Sequence, residues 1–344
     1  MSAVRTAIVG LGTISFEHLA KLRHRRDIEV VGLCDLHETL ARAVSERFGL
    51  GAPYTDFARM LADTRPDVVH VLTPPQSHHP LTIQALQAGA HVFVEKPIAP
   101  TWEEYVEMRD LARERGLLLC ENYNCRFEPT MLAALEVWRS GRIGDAVNVD
   151  VSYGGVMGAN GPYSDRDMVH FAHGLPGGAL HNFISHPVSM ALAFMDGCTD
   201  ALAVRRRLDG SFASDDELRA LLSGQRTCAV VTVSRHAAPA HLKLDVQGTR
   251  GSLGVDVYSG QMRVSAEGSV IARGVRDGLE GLRAGATLTA KKLAGRHDGY
   301  AGLGTLLDRF YEAASGDGPP PITEDEMDAV NGVIRDVFSE ASQR

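Results

Sequence analysis

Through about the first 120 residues, short apolar runs alternate with segments of helical period, and this alternation narrows the possible folds more than any other feature of the chain. The runs lie at 5–10, 29–34, 67–72, 92–94 and 117–120. Near-continuous apolar runs of this length read as strands buried on both faces. Parallel strands of that kind, each followed by a helix, make a doubly wound α/β sheet, the Rossmann arrangement. Punctuation agrees with this reading. Gly89 stops the helix over 81–88, and Thr101 with Glu104 makes a capping box for a helix that ends at Gly116.

In open parallel sheets, ligands gather beyond the carboxyl ends of the strands, so the residues that follow each run are the candidate site. The first run ends in GLGTIS, with a helical pattern behind it, which is the context a dinucleotide fingerprint requires. Gly10 permits the tight turn and Gly12 a close approach of a pyrophosphate, while Thr13 and Ile14 open the helix that faces it. Ser15 stands where the fingerprint has its third glycine. The second run ends at Asp35, an acid placed to bond the adenosine ribose hydroxyls and repel a 2′-phosphate, which favours NAD with NADP as the alternative. Capping the helix over 37–47 is the competing role for Asp35. The third run leads into TPPQSHH, where Thr73 and Pro74 line the expected cleft and His78 or His79 caps the next helix. The fourth stops on Glu95, Lys96 and Pro97. Pro97 biases Lys96 toward extended backbone, which fixes the ammonium's direction at the ligand side of the sheet. A surface Glu-Lys pair is the plain alternative.

After residue 122 the rhythm changes. Strand patterns at 147–153, 230–234, 242–247 and 252–256, with a hairpin loop between Gly248 and Gly251, imply an α+β domain over 123–344 with a largely antiparallel open sheet. Residues 1–122 form the nucleotide-binding domain, and the second domain carries substrate binding and oligomer contacts. One helix interrupts the strands, over about 180–194, and Pro187 suits a first turn if the regular part of the helix starts there. Asn182 and His186 lie four residues apart on one of its faces. His186 is a candidate proton-transfer group, against a structural role as a buried, bonded histidine. His170, His173 and His181 fit the structural role better. Helices over 277–296, with Arg283, Lys291, Lys292 and Arg296, over 299–314, and from Thr323 and Glu326 to about 342 complete the chain.

A net charge of −8 argues against nucleic acid as a partner. No apolar run approaches the roughly 18 residues of a membrane span. The five cysteines lack zinc spacing, and the clustered histidines lack carboxylate or thiolate companions, so no metal is expected. Reduced thiols point to the cytoplasm.

Taken together, GLGTISFEH, the Cys34-Asp35 pair, DVVHVLTPPQSHH, ALQAGAHVFVEKP, NYNCRFEP, GGALHNFISH, VQGTRGSLGVD and GDGPPPITEDE resemble the glucose-fructose oxidoreductase, inositol dehydrogenase and rhizopine catabolism family, Gfo/Idh/MocA, over nearly the whole chain. The resemblance implies a nicotinamide cofactor, a homodimer or homotetramer, and a sugar, polyol or nucleotide-sugar substrate oxidised at a secondary alcohol. It assigns Gly10, Gly12, Asp35, Thr73, Pro74, His78, Glu95 and Lys96 to the cofactor side. Lys96 meets the reacting hydroxyl and His186 acts as acid or base. The family commonly has aspartate where this chain has Asn182, so Asn182 orients a hydroxyl but exchanges no proton. Arg126 holds substrate or ties the domains together. Two rivals stay open: NAD-dependent glycoside cleavage through transient oxidation, and a non-catalytic dinucleotide sensor.

Overall fold

The computed structural model describes residues 3–156, 170–210, 212–266 and 299–339, together with 274–275, 278–279, 281–282, 285–286 and 289–290, which are helical. Arg283, Lys291, Lys292 and Arg296 of the expected basic helix lie outside the described residues. The chain divides into two compact units, Met1–Asn122 with Leu303–Met327, and Tyr123–Gly302 with Asp328–Arg344.

The first unit runs β1 (Val4–Val9), α1 (Thr13–Leu22), β2 (Ile28–Cys34), α2 (Glu38–Phe48), β3 (Ala52–Tyr54), α3 (Phe57–Thr64), β4 (Val68–Val71), α4 (His78–Gln87), β5 (His91–Val94), α5 (Trp102–Arg115) and β6 (Leu119–Glu121). Its six strands take the order β3-β2-β1-β4-β5-β6, every pair parallel. The order reverses between β1 and β4, which makes their carboxyl ends the switch point where such sheets take ligands. All four residues of β4 are buried, as the apolar pattern requires of a central strand. The strand β3 escaped the sequence reading. It is three residues long, carries Pro53 and pairs only at the sheet edge, where proline is tolerated. Thr101 caps α5 by accepting from the Glu104 amide.

The second unit contains α6 (Pro129–Arg139), β7 (Ala146–Gly154), α7 (Gly178–Leu192), β8 (Asp200–Arg206), β9 (Glu217–Ser223), β10 (Cys228–Ser234), β11 (His241–Gly248), β12 (Gly251–Asp256) and β13 (Gln261–Ala266). The sheet order is β13-β12-β11-β7-β10-β9-β8, antiparallel except where β7 meets β10. Burial alternates along β8 to β11, so one face is dry and the other open. The helix α7 lies against β7, β10 and β11 on the dry face.

Two expectations need correction. First, α8 (Ala301–Ala314) enters the first unit at Leu303, and the segment to Met327 stays there although the sequence reading gave it to the second domain. Its apolar stripe is the cause: Leu303, Leu306, Leu307, Phe310 and Tyr311 are all buried, with the Phe310 ring 5.3 Å from Phe93 of β5. The chain then passes into α9 (Glu324–Phe338), whose first turn carries the expected capping box between Thr323 and Glu326. Second, α7 starts at Gly178, close to the expected 180, so Pro187 sits inside the helix and not in its first turn. Proline there removes one helical hydrogen bond, and the burial of every residue from Gly178 to Ala191 offsets that loss through packing. Among the described residues, no helix is long and apolar enough to cross a membrane.

Candidate active site

The strand β1 ends at Gly10, whose φ of +90° suits glycine. A Cβ there would lie 2.6 Å from the Thr73 amide nitrogen, so the turns after β1 and β4 touch across the switch point only because position 10 has no side chain. Gly12 differs. A Cβ on it would meet nothing within 4 Å, and it precedes α1 with no side chain capping the helix. The positive end of α1 therefore opens onto unfilled space, the arrangement that suits a pyrophosphate. Thr13 is exposed and Ile14 half-buried at that end. Ser15 is fully buried and turns its hydroxyl back onto the Gly12 carbonyl at 2.7 Å, which accounts for a small polar residue in place of glycine.

Asp35 stands across this turn. One carboxylate oxygen accepts from the Leu11 amide at 2.9 Å and the other from the His37 amide at 3.0 Å. It is not the helix cap. The N-cap of α2 is His37, without a side-chain bond. A carboxylate has lone pairs beyond these two, so Asp35 retains acceptor capacity for hydroxyls while held rigidly. The residues present thus fit a dinucleotide.

Thr73 is half-buried and accepts the Ser77 hydroxyl at 2.8 Å, and Pro74 is exposed. His78 does not cap α4, because Ser77 holds the N-cap position and the helix begins at His78 itself. Instead His78 is fully buried, with Nδ1 2.9 Å from the Pro97 carbonyl and Nε2 2.7 Å from the Thr73 carbonyl. It joins the turn after β4 to the turn after β5. Burial pushes its pKa below the ordinary range. His79 lies at the surface, 2.8 Å from Glu107.

Glu95 is 7% exposed and faces inward. Its Oε1 takes His18 Nε2 at 3.4 Å and the Asn122 amide, and its Oε2 takes the Lys96 backbone N–H at 3.2 Å. His18, Lys96 and Asn122 outweigh burial and hold the Glu95 carboxyl down at about 2, although burial alone would raise it. His18 belongs to a longer chain: its Nδ1 lies 2.9 Å from His70 Nδ1, His70 Nε2 lies 2.9 Å from the Tyr311 hydroxyl, and that hydroxyl lies 3.0 Å from Thr6 Oγ1. The sequence reading did not single out His18, His70, Asn122 or Tyr311. A signal existed, since His70 interrupts the otherwise apolar run of β4.

In the second unit, Asn182 and His186 are 3% and 9% exposed and share a face of α7, one turn apart. Arg126 is 9% exposed in a short 3-10 turn, Asn124–Phe127, against which α7 packs. His181, on the same helix, stacks on Phe338 with rings 4.9 Å apart and 3° from parallel, and burial lowers its pKa to about 4. His170 accepts from the Ala172 amide. Among the described residues no group of three or more His, Cys, Asp or Glu side chains is arranged to hold a metal ion.

The family model for the Gfo/Idh/MocA oxidoreductases with an NAD-binding Rossmann fold matches residues 4–123, and the model for the Gfo/Idh/MocA C-terminal domain matches residues 131–254. D-glucoside 3-dehydrogenase of Escherichia coli K12 is 39% identical over 127 residues, which cover 37% of this chain and 36% of that protein. Glycosyl hydrolase family 109 protein 2 of Akkermansia muciniphila is 30% identical over 164 residues, covering 44% of this chain and 34% of that protein. The chain thus spans about a third of the length of these two curated relatives. The crystal structure of the WlbA dehydrogenase from Bordetella pertussis, in complex with NADH and UDP-GlcNAcA, has the same fold, with a TM-score of 0.80 over 99% of this chain and 95% of that one at 21% identity. A Rossmann sheet in the 3-2-1-4-5-6 order, an open glycine turn facing a fixed aspartate, and family models that cover both units lead to one assignment: the chain belongs to the Gfo/Idh/MocA family of oxidoreductases, and its first unit is that family's NAD-binding Rossmann domain.

Proposed function

We propose that the protein is an NAD-dependent dehydrogenase that oxidises a secondary alcohol of a sugar, polyol or nucleotide sugar, and reduces the ketone in the reverse direction. The observation that carries the cofactor half is Asp35, fixed by two backbone amides across the open glycine turn. Gly10, Gly12, Thr13 and Ile14 take the pyrophosphate, Asp35 the ribose hydroxyls, and Thr73, Pro74, His78, Glu95 and Lys96 shape the nicotinamide side. The carboxylate disfavours a 2′-phosphate, so NADP binds less well than NAD. Bound nicotinamide supplies the hydride acceptor. The chain's own groups handle the proton and the charge. An imidazole nitrogen of His186 takes the hydroxyl proton. The Lys96 ammonium stabilises the alkoxide that develops, Asn182 orients the hydroxyl through its amide, and Arg126 holds a polar part of the substrate. Similarity to a D-glucoside 3-dehydrogenase supports the carbohydrate class.

The second unit carries substrate contacts and the subunit interface. Leu202 and Leu221 pair across β8 and β9, Leu221 and Val230 across β9 and β10, and all three are exposed with Val204 on the open face of the sheet. A second copy of the chain covers this row in a homodimer or homotetramer, which light scattering coupled to size exclusion measures. A nicotinamide enzyme whose five cysteines form no disulfide with one another belongs in the cytoplasm.

A second reading has its own support, the similarity to a glycosyl hydrolase family 109 protein. In it, the same residues oxidise a glycoside transiently and regenerate the cofactor. Incubation of the protein and NAD with a panel of sugars, glycosides and nucleotide sugars separates the two. Net NADH with a keto-sugar product supports the dehydrogenase, and sugar release without net NADH supports the glycosidase.

A further inference from the structure

The buried chain behind the Glu95-Lys96-Pro97 turn has a direction, fixed by the chemistry of its ends. A carboxylate accepts only, so His18 Nε2 carries the hydrogen toward Glu95. Across the 2.9 Å between His18 Nδ1 and His70 Nδ1, one nitrogen holds a hydrogen and the other a lone pair. When His18 is neutral its Nδ1 is the lone pair, so His70 donates from Nδ1 and accepts at Nε2 from the Tyr311 hydroxyl, which accepts from Thr6. When His18 is protonated, every bond from His18 to Thr6 reverses, yet Nε2–H still faces Glu95. His70 is neutral in both states, as its full burial next to His18 requires. The arrangement therefore presents Glu95 with a donor whatever charge His18 carries.

We propose that His18, oriented by His70 and Tyr311, is a positioning residue of the reaction: it keeps Glu95 a fixed carboxylate, and Glu95 in turn holds the backbone of Lys96. Glu95 thus acts on the site through the Lys96 backbone. The kinetic consequence rests on the dehydrogenase reading. The hydrogen-bond arrangement does not.

Three observations support it. Thr6, His18 and His70 are 0% exposed and Tyr311 1%, so the chain is sealed from water and its polar atoms depend on one another. An apolar set of similar volume would fill the same space without burying polar groups, so packing alone does not call for this one. And the chain terminates on the residue next to Lys96. The titratable groups facing Glu95 are His18 from α1, Lys96 on its own turn and His78 from α4; His70 of β4 faces it through His18, and Glu121 of β6 accepts the Ile98 amide beside the same turn.

Two measurements on the full chain test this. Long-range proton–nitrogen NMR spectra of protein labelled with 15N-histidine, assigned with His18→Gln and His70→Gln, read the tautomers directly. The expected result is a hydrogen on His18 Nε2 in either charge state, with the His70 hydrogen on Nδ1 where His18 is neutral and on Nε2 where it is protonated. A lone pair on His18 Nε2 overturns the proposal, whether or not any substrate is turned over. On a substrate that the wild type oxidises, His18→Leu lowers kcat about 10- to 100-fold, by analogy with the outer-shell partners that orient metal ligands, while the NADH Kd from fluorescence titration moves less than twofold. The same variant gains an acid limb in its pH–kcat profile, because the buried Glu95 has lost a donor. His18→Gln keeps an N–H and recovers most of the loss. Unchanged kcat in His18→Leu, or a loss that His18→Gln shares in full, overturns the proposal. A wild type that turns over no sugar counts against the dehydrogenase reading and leaves the tautomer result to decide this one.

Discussion

Gly10 and Gly12, two residues apart, separate folding from cofactor binding. Alanine at position 10 is strained twice. Its φ of +90° costs an L-residue about 1–2 kcal/mol. The added Cβ would lie 2.6 Å from a backbone nitrogen of the turn after β4, where ordinary contact begins at 3.4 Å, a shortfall of 3.4 − 2.6 = 0.8 Å that no rotamer change relieves. Forcing that turn aside adds about 1–3 kcal/mol. A total of about 3 kcal/mol lowers the melting temperature by roughly 6–12 °C at this domain size. Alanine at position 12 meets nothing within 4 Å, and a φ of −68° is ordinary for any residue. The entropy gained by stiffening the unfolded chain, about 0.4–1 kcal/mol, offsets the poorer N-cap preference of alanine, so stability changes by less than about 1 kcal/mol. Its methyl group occupies the space above the α1 amides, however. Loss of one charge-assisted bond there, about 1.5–3 kcal/mol, weakens NADH about 10- to 150-fold. Calorimetry and NADH fluorescence titration on both variants give the four numbers. A Gly12→Ala protein that binds NADH like the wild type refutes the pyrophosphate placement, and a Gly10→Ala protein of wild-type stability refutes the steric argument.

Asp35→Asn leaves one acceptor oxygen for two backbone amides and removes the charge, so NAD binds at least about tenfold more weakly while the NADP-to-NAD ratio of Kd values falls, read by the same titration. His181 contributes a pH dependence of definite sign. Its folded pKa, about 4, lies below the unfolded value of about 6.5, so unfolded chains take up the proton first and stability falls as pH drops from about 6.5 toward 4, by at most about 1.4 kcal/mol per unit. Urea unfolding at pH 7.5 and 5 should therefore differ by about 2 kcal/mol more in the wild type than in His181→Phe, which keeps the stack on Phe338. Equal differences in the two proteins would remove His181 as the cause.

Much of the first unit was legible because its signals are local. Apolar runs bounded by glycine, proline and capping pairs mark parallel strands and helix ends, and the ligand side of the sheet follows from topology. The edge strand β3 was not, since three residues with a proline carry no periodicity. Long-range packing was equally hidden. The return of Leu303–Met327 to the first unit depends on how Phe310 and Tyr311 meet Phe93 and His70, which no local pattern encodes. The extent of α7 was legible to within two residues at each end, but Pro187 reads as a helix opening, whereas complete burial lets the helix run through it. In the site, single residues such as Asp35, Lys96 and His186 could be picked out by their place after a strand or on a helix face. The inward orientation of Glu95 could not, because its partners come from α1, its own turn and the residue after β6.

The most direct test of the dehydrogenase account is the initial rate of NAD reduction, followed at the reduced-nicotinamide absorbance band, for the wild type and Lys96→Ala on the same carbohydrate panel. Removing a preorganised partner of a developing charge costs about 2.7–4 kcal/mol at the barrier, so the account predicts NADH formation by the wild type and a rate about 100- to 1,000-fold lower in Lys96→Ala with NADH affinity largely kept. A wild type that binds neither NAD nor NADP, or a Lys96→Ala variant that reduces NAD at the wild-type rate, contradicts it.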